Sequence, residues 1–205
     1  VQVIFRQQPK VSGGNNHFGS RLVWARDGRL FVGLGDRFTR KDDAQTLDNH
    51  MGKVVRIEAD GKVPADNPFA QRSGAKAEIW SYGHRNIQGA ALHPTSGELW
   101  TVEHGPQGGD ELNVPAAGAN HGWPVITYGR NYGIGTKIGD GTERADVAAP
   151  LRHWDPSIAP SGMAFLSSDR YPGWKGNLFI GALRGSHLVR LELDGRKVVK
   201  EEQLL

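Results

Sequence analysis

The segment from residue 103 to residue 113, EHGPQGGDELN, holds three acids, one histidine, one proline and three glycines in eleven positions. Strands avoid Gly, Pro and Asp, so this composition indicates a shaped loop rather than a plain strand. Glycine allows a sharp turn close to a ligand, and a carboxylate near free carbonyl oxygens is the kind of ligand set that Ca²⁺ prefers. The segment is either a calcium-binding loop or a polar turn, and its spacing differs from that of an EF-hand loop.

Four other polar segments carry groups suited to proton transfer or anion binding: GGNNHFGS (13–20), GLGDR (33–37), WSYGHRNIQG (80–89) and GALRGSH (181–187). His17 is a candidate general base, because histidine titrates near neutral pH, or else it closes a turn. Asp36 either caps a turn or orients a neighbouring group. Arg85 beside Asn86 is either a surface pair or a binding site for carboxylates. Three other histidines are interpreted as structural or surface residues: His84, His93 and His153.

The elements that must position these groups follow a repeated pattern of short strand, tight turn and second strand, in residues 20–36, 89–105 and 161–183. Further strands are predicted in 53–63 and 187–205, each turning at Asp-Gly, and in the opening VQVIF. Helical periodicity is weak, with its best candidate at 42–53. This order predicts an all-β fold of four-stranded antiparallel meanders, typical of β-propeller blades with long insertions. A small open sandwich of three hairpins is the alternative.

Equivalent strand ends of a propeller lie on the same rim, so the polar loops are predicted to converge at one mouth of the central channel. A ligand site is expected there, because it would combine a base, cations and a candidate metal loop. Its members would be His17, Asp36, Arg85, Asn86, Gln88, the loop 103–111 and Arg184.

The composition excludes several other classes of protein. The chain has 205 residues, 38% of them hydrophobic and 23% charged, as in an ordinary globular domain. It has no cysteine, which excludes disulfides and thiolate metal sites. Its net charge of +3, spread along the sequence, is too small to indicate a nucleic-acid partner. No apolar run is long enough to span a membrane. Since three repeats cannot close a propeller ring, we expect residues 1–205 to be the central portion of a single propeller domain, truncated at both ends.

Six motifs in order resemble those of the PQQ-dependent glucose/sorbosone dehydrogenases, most closely the bacterial soluble aldose sugar dehydrogenases: HFGSRL (17–22), GHRNIQG (83–89), EHGPQGGDELN (103–113), NHGWP (120–124), IAPSGMAF (158–165) and FIGALRG (179–185). The resemblance covers the whole chain. It implies a six-bladed β-propeller, of which this chain would supply about three to four blades. It also implies pyrroloquinoline quinone (PQQ) and Ca²⁺ as cofactors in the channel mouth.

The resemblance further implies oxidation of the anomeric C1 hydroxyl of aldose sugars to lactones, by hydride transfer to PQQ. An external electron acceptor, which could be a quinone, a dye or a redox protein, would then reoxidise the cofactor. The protein is expected to be periplasmic or secreted, as a monomer or a homodimer. Nothing in the resemblance implies a nucleic-acid partner or a membrane span.

Roles carry over to individual residues of this sequence by the same resemblance. His17 matches the general base, with Asp36 beside it to hold the ring in its productive tautomer. Arg184 matches a cation that faces the reacting carbonyl of the quinone. The other residues that match cofactor-binding positions are Arg85, Asn86, Gln88, Tyr132, Ala182 and Leu183, with Ile87 where Pro is common in the family.

The calcium positions carry over in two groups. Gly105 and Pro106 match residues whose main-chain oxygens bind the Ca²⁺ of the cofactor, and Glu111 matches a second calcium ligand. His121 stands where relatives often have Tyr, and only a main-chain ligand would survive that change. Two other functions remain open: a calcium-dependent sugar lactonase, which would have no use for Arg85 with Arg184, and a non-catalytic propeller module like that of hedgehog-interacting proteins.

Overall fold

The structure consists of twelve β-strands and one short 3₁₀ helix. It is a computed structural model that describes residues 1–205. The elements in chain order are β1 (Gly19–Trp24), β2 (Leu30–Leu34), the 3₁₀ helix η1 (Lys41–Gln45), β3 (Lys53–Ile57), β4 (Ile79–Tyr82), β5 (Ile87–Leu92), β6 (Leu99–Glu103), β7 (Asp110–Asn113), β8 (Arg152–Trp154), β9 (Pro160–Phe165), β10 (Leu178–Ala182), β11 (His187–Asp194) and β12 (Lys197–Leu204).

The strands form three four-stranded sheets, each in sequence order. The first blade is β1 to β4, the second β5 to β8 and the third β9 to β12, and all neighbouring strands pair antiparallel. The first strands of the three blades, β1, β5 and β9, lie beside one another in that order. These are meanders of the β-propeller type, so the predicted all-β fold of antiparallel blades is confirmed, and the chain forms three blades.

The core lies between the blades, because strand side chains alternate between the two faces of a sheet. Phe31 and Val54 of the first blade pack against Ile87 and Leu99 of the second. A larger cluster joins the second and third blades, with Trp100, Val102, Leu112, Trp154, Leu178, Ile180, Ala182, Val189 and Leu191 buried in it. Each blade thus serves as the apolar cover of its neighbour.

The outer face of the first blade is covered differently. Its buried residues include Leu30, Val32 and Val55, and the partly buried Ile4 and Phe5 pack on them. On the same face of β1, Leu22 and Trp24 pair with Val32 and Leu30, yet they are 65% and 55% exposed. This face therefore presents apolar side chains that no element of the chain covers.

Two local predictions are wrong. VQVIF forms no strand; it lies across the first blade, where its apolar residues still pack. Residues 58–63 turn at Asp-Gly without starting a strand, and the fourth strand of the blade is Ile79–Tyr82, after an insertion. The helical candidate 42–53 was predicted as at most a short turn of helix within a blade connection, and the structure has the 3₁₀ helix Lys41–Gln45 there, between β2 and β3. In addition, the segment 103–113 is a loop only at its centre, because its ends belong to β6 and β7.

A long insertion of residues 114–151 joins β7 to β8 and returns over the first blade. Isolated bridges join it to other segments, Asn120 to Tyr82 of β4 and Arg130 to Gln107 of the β6–β7 loop. The insertion carries the NHGWP motif and Tyr132 toward the ends of β2 and β6. None of the helical structure of the chain is long and apolar enough to cross a membrane.

Candidate active site

His17 and Asp36 form the shortest side-chain pair of the site. The Nδ1 atom of His17 lies 2.6 Å from Oδ1 of Asp36, which is fully buried. Oδ1 also accepts the backbone N–H of Phe38 at 2.7 Å, and Oδ2 accepts Nε1–H of Trp123 at 2.7 Å. A carboxylate surrounded in this way acts as an acceptor, so His17 carries its proton on Nδ1. Nε2 of His17 then has its lone pair free of any partner in the chain.

The backbone around His17 depends on a close approach of two loops. His17 has a φ of 54°, in the left-handed region that non-glycine residues seldom adopt. A Cβ atom on Gly35 would lie 2.0 Å from the carbonyl oxygen of His17. That same carbonyl accepts the N–H of Arg37 at 3.2 Å. Gly35, directly after β2, is therefore the residue that allows the His17 loop to lie against Asp36.

Arg85 lies two residues before β5, with its backbone and guanidinium both fixed by hydrogen bonds. Oε2 of the buried Glu103 accepts the Arg85 backbone N–H at 2.6 Å, and Nη1 donates to the carbonyl oxygens of His104 at 2.9 Å and Gly105 at 2.6 Å. The guanidinium lies 5.2 Å from the ring centroid of Trp123. Its Nε atom is buried without a hydrogen-bond partner.

Two adjoining cavities place these groups around one space. The base cavity, of about 390 Å³, is lined by His17, Asp36, Phe38, Lys41, Arg85, Pro106, Trp123, Asn131, Tyr132, Lys137, Ile138 and Gly139. The open cavity, of about 740 Å³, shares His17, Phe38, Arg85 and Tyr132 with it and adds Asn86, Gln88 and His104 among others. The structure thus brings together seven of the residues predicted for the site: His17, Asp36, Arg85, Asn86, Gln88, Pro106 and Tyr132.

The two cavities suit an anionic planar ligand with polar edges. Arg85 supplies a cation with an unpaired N–H, and Lys41 and Lys137 add positive charge to the wall of the base cavity. The amide of Gln88 donates to Oδ1 of Asn86 at 2.9 Å, so the two side chains form one polar edge. The rings of Phe38 and Tyr132 supply apolar walls. These groups fit a tricarboxylate such as PQQ.

Asp110, the first residue of β7, holds the loop between β6 and β7 in place through hydrogen bonds. This fully buried carboxylate accepts the Gly105 N–H at 2.9 Å, the Ser157 hydroxyl at 2.7 Å and the Ala159 N–H at 2.8 Å. The carbonyl of Gly105 is shared with the guanidinium of Arg85, whereas that of Pro106 accepts no hydrogen bond from the chain. A cation bound to both carbonyls would share the Gly105 oxygen with the guanidinium of Arg85.

Glu111 and His121 lie apart from the base, in a carboxylate cavity of about 490 Å³ that Tyr128 and Glu143 also line. Burial raises the pKa of Glu111 to about 8, with Glu103 and Asp110 adding to the effect. Its one side-chain partner is Asn113, which donates to Oε2 at 3.1 Å. Both ring nitrogens of His121 are buried without partners, and burial lowers the pKa of that ring well below its usual range. The Glu111 carboxyl, with a single donor on one of its oxygens, is the group of this cavity that fits a hard cation.

The third-blade residues do not reach this space. Ala182, Leu183 and Arg184 line neither the base cavity nor the open cavity. Ala182 ends β10, while Leu183 and Arg184 are exposed and donate their backbone N–H groups to Ala159 and Ile158. The prediction that Arg184 shares one mouth with His17 is therefore not met within this chain.

The sequence did not predict Trp123 as a site residue, and it placed Glu103 and His104 in the site loop 103–111 without a role for either. Trp123 was noted only as part of a motif, although its indole joins Asp36 to Arg85. Glu103 anchors the backbone of Arg85. Burial alone would raise the pKa of Glu103, but His84 and the other hydrogen-bond donors around the carboxylate lower it more, so the pKa lies below its usual range. His104 lines the open cavity, with Nε2 2.6 Å from the Pro160 carbonyl oxygen. The composition of the loop 103–111 was the signal for Glu103 and His104, whereas Trp123 had none beyond the NHGWP motif.

Comparison with known proteins identifies the family. The sequence model of the Glucose / Sorbosone dehydrogenase family matches residues 1–205. The chain is 48% identical over 206 residues to Aldose sugar dehydrogenase YliI of Escherichia coli (strain K12), covering 100% of this chain and 55% of that protein. It is 29% identical over 201 residues to Quinoprotein glucose dehydrogenase B of Acinetobacter calcoaceticus, covering 88% of this chain and 40% of that protein.

A solved structure agrees with the sequence relatives. The PQQ-bound form of Aldose Sugar Dehydrogenase from Streptomyces coelicolor matches with a TM-score of 0.75 and 29% identity, over 96% of this chain and 51% of that one. The chain spans about half the length of the curated relatives it matches. With its whole length matched by the family model and its blades by the solved structure, the chain belongs to the glucose/sorbosone dehydrogenase family.

Proposed function

We propose that the intact protein oxidises the C1 hydroxyl of aldose sugars to lactones, with PQQ as the electron acceptor. The observation that carries the proposal is the His17–Asp36 pair, which opens into the same cavity as the guanidinium of Arg85. A base with a fixed tautomer beside a cation is the arrangement that removal of a hydroxyl proton next to an anionic cofactor requires. Family membership supports the same reaction.

His17 is the proton acceptor in this proposal. Its Nε2 atom takes the proton from the C1 hydroxyl, while the buried Asp36 keeps Nδ1 protonated and stabilises the imidazolium that results. Bound PQQ would supply the two-electron acceptor for the hydrogen that leaves C1. The partly apolar walls formed by Phe38 and Tyr132 reduce the access of water to the ring of His17.

Arg85, Asn86, Gln88 and Tyr132 would hold the cofactor, through the guanidinium, the amides and the ring face. Arg85 is the strongest candidate, because it is the one arginine that lines both cavities. Ala182, Leu183 and Arg184 belong to the cofactor site in the intact protein only if further structure brings the third-blade loop toward the channel. Arg184 would then place a cation at the reacting carbonyl.

Ca²⁺ is the second cofactor that we propose. Pro106 and Gly105 offer main-chain oxygens beside the base cavity, and Glu111, with the main chain of His121, offers a separate position in the carboxylate cavity. Oxygen ligands suit Ca²⁺, and the buried Glu111 carboxyl, whose one side-chain partner in the chain is Asn113, supports the second position. We expect a side-chain nitrogen of His121 to be a poor ligand for this hard cation.

We also propose that residues 1–205 are the central portion of a single six-bladed propeller domain. The chain covers 55% of the length of its relative from Escherichia coli, which supports this proposal. The exposed apolar face of β1 supports it too. The same family resemblance leads us to propose a periplasmic or secreted location and reoxidation by an external quinone, dye or redox protein.

Reconstitution tests the proposed function. The intact protein is freed of cofactors, incubated with PQQ and Ca²⁺, and assayed for reduction of a dye with a panel of aldoses. We expect sugar-dependent dye reduction that needs PQQ. Hydrolysis of a sugar lactone without PQQ would instead identify a lactonase. Ca²⁺ binding with neither reaction would identify a non-catalytic module.

A further inference from the structure

The indole of Trp123 connects the two halves of the candidate site. Its Nε1–H donates to Oδ2 of Asp36 at 2.7 Å, across 87 positions of sequence. Asp36 follows the second strand of the first blade, whereas Trp123 belongs to the insertion of the second blade. The same ring lies under the guanidinium of Arg85, at 5.2 Å from the centroid. One side chain therefore contacts both the partner of the base and the cation.

The loop of Trp123 is fixed well enough to hold that position. Its backbone N–H donates to the carbonyl of Gly83 at 3.0 Å, and the side chain of Gln45 donates to its carbonyl at 2.7 Å. Gln45 also bonds the side chain of Asn120 in both directions, at 3.0 and 2.8 Å. Trp123 itself is only 8% exposed. The indole thus has little freedom to turn away from Asp36.

We propose that Trp123 is a positioning residue for the base: its Nε1–H satisfies Oδ2 of the Asp36 carboxylate, whose Oδ1 bonds His17, and so sets the negative charge that this carboxylate presents to the ring, while the indole supports Arg85. The inference rests on the proposed function only in naming His17 as the base. Trp123 would not exchange protons with the substrate. It acts through Asp36, by satisfying the oxygen that His17 does not use.

The expected effect of losing this N–H has a definite direction. In Trp123→Phe, Oδ2 of Asp36 stays buried but loses its donor, so less of the negative charge is neutralised. That charge then attracts the imidazolium form of His17 more strongly, and the ring holds its proton to higher pH. The other charged or titratable groups near His17 keep their places in this variant: Arg37, Lys41, Arg85, His104 and Lys137.

The test is a titration of the His17 ring by NMR in the intact, cofactor-free protein, with the signal assigned by its loss in His17→Gln. In Trp123→Phe the titration midpoint should rise by about half a pH unit or more. Trp80→Phe is the matched control, because its Nε1–H donates to the Pro115 carbonyl at 2.8 Å and it lines neither cavity. Its midpoint should equal that of the wild type. An unchanged or lowered midpoint in Trp123→Phe overturns the inference.

A second NMR measurement uses the wild-type protein alone, so it does not depend on whether Trp123→Phe folds. In the wild type, the indole Nε1–H resonance of Trp123 should shift with the same midpoint as His17, because Asp36 links the two groups. A resonance that stays constant while His17 titrates also overturns the inference. In the PQQ-loaded protein, the fall of kcat/KM at acidic pH should also begin at a higher pH in Trp123→Phe than in the wild type. If the wild type reduces no PQQ with any aldose, the proposed function fails, yet the two NMR results still decide the role of Trp123.

Discussion

The chemistry of a histidine in this fold depends on what holds it. His50 and His84 also lie beside carboxylates, Glu78 at 2.8 Å and Glu103 at 2.9 Å, but both rings are buried and use their second nitrogen within the protein. His17 differs because Nε2 has no partner in the chain and the ring lines both cavities. A candidate base is a histidine with one ring nitrogen held by a hydrogen bond and the other free to take a proton, whereas a structural histidine uses both nitrogens within the protein.

Removal of the His17 ring should therefore stop proton transfer without removing the cofactor site. His17→Ala in the intact protein should lower the rate of PQQ reduction by roughly 100-fold or more, the usual contribution of a positioned base, while PQQ binding changes little. The measurement is a single-turnover trace at saturating sugar and PQQ, with His93→Ala as the control outside the cavities. A wild-type rate in His17→Ala would return His17 to the role of a turn residue.

At the scale of elements, the local patterns of the sequence were enough to predict most strands. Alternating apolar residues on either side of a tight turn predicted β1 with β2, β5 with β6, and β9 with β10. The fourth strand of the first blade could not be predicted, because an insertion separates Ile79–Tyr82 from β3. Its pairing depends on tertiary contacts rather than on a turn signal.

The site shows the same limit. The polar loops after β2 and β6 could be predicted to meet, because equivalent strand ends share a rim. The bond from Trp123 to Asp36 could not, since it depends on where a long insertion folds back. The Gly105 carbonyl was predicted as a calcium ligand from a motif, whereas its hydrogen bond to Arg85 is visible only in three dimensions.

The hairpin of β6 and β7 leads to a prediction about metal removal. If Glu111 binds Ca²⁺, then chelation should lower the melting temperature and added Ca²⁺ should restore it, because a ligand that binds only the folded state stabilises it by mass action. The stabilisation would be about 4 kcal/mol when free Ca²⁺ exceeds its Kd a thousandfold. Scanning calorimetry with and without chelator measures it.

Two variants assign this effect to the carboxylate cavity. Glu111→Gln should lose most of the response to Ca²⁺, whereas Glu192→Gln, on β11, should keep it. Mg²⁺ should stabilise less than Ca²⁺, since it needs a tighter octahedral site. An equal response to both ions, or an unchanged response in Glu111→Gln, contradicts a calcium site at Glu111.

At the scale of the whole molecule, each blade depends on its neighbours. The face between the first and second blades is filled by Phe31, Val54, Ile87 and Leu99, and that between the second and third by a larger cluster. The outer face of β1 breaks this rule. Large apolar side chains exposed together on a sheet mark a surface that another element covers. The proposed six-bladed domain supplies such an element, as a further blade beside β1.

Substitution on that face tests whether it is covered. In the intact protein, Leu22→Ser should lower the free energy of unfolding by about 2 kcal/mol, because a leucine buried between blades is lost from the core. Val63→Ser is the control, since Val63 lies in a loop and is 39% exposed. It should change the unfolding free energy by less than about 0.5 kcal/mol. Both values come from urea denaturation. If the two variants unfold at the same urea concentration, the β1 face is free in solution and the proposal of a further blade there is wrong.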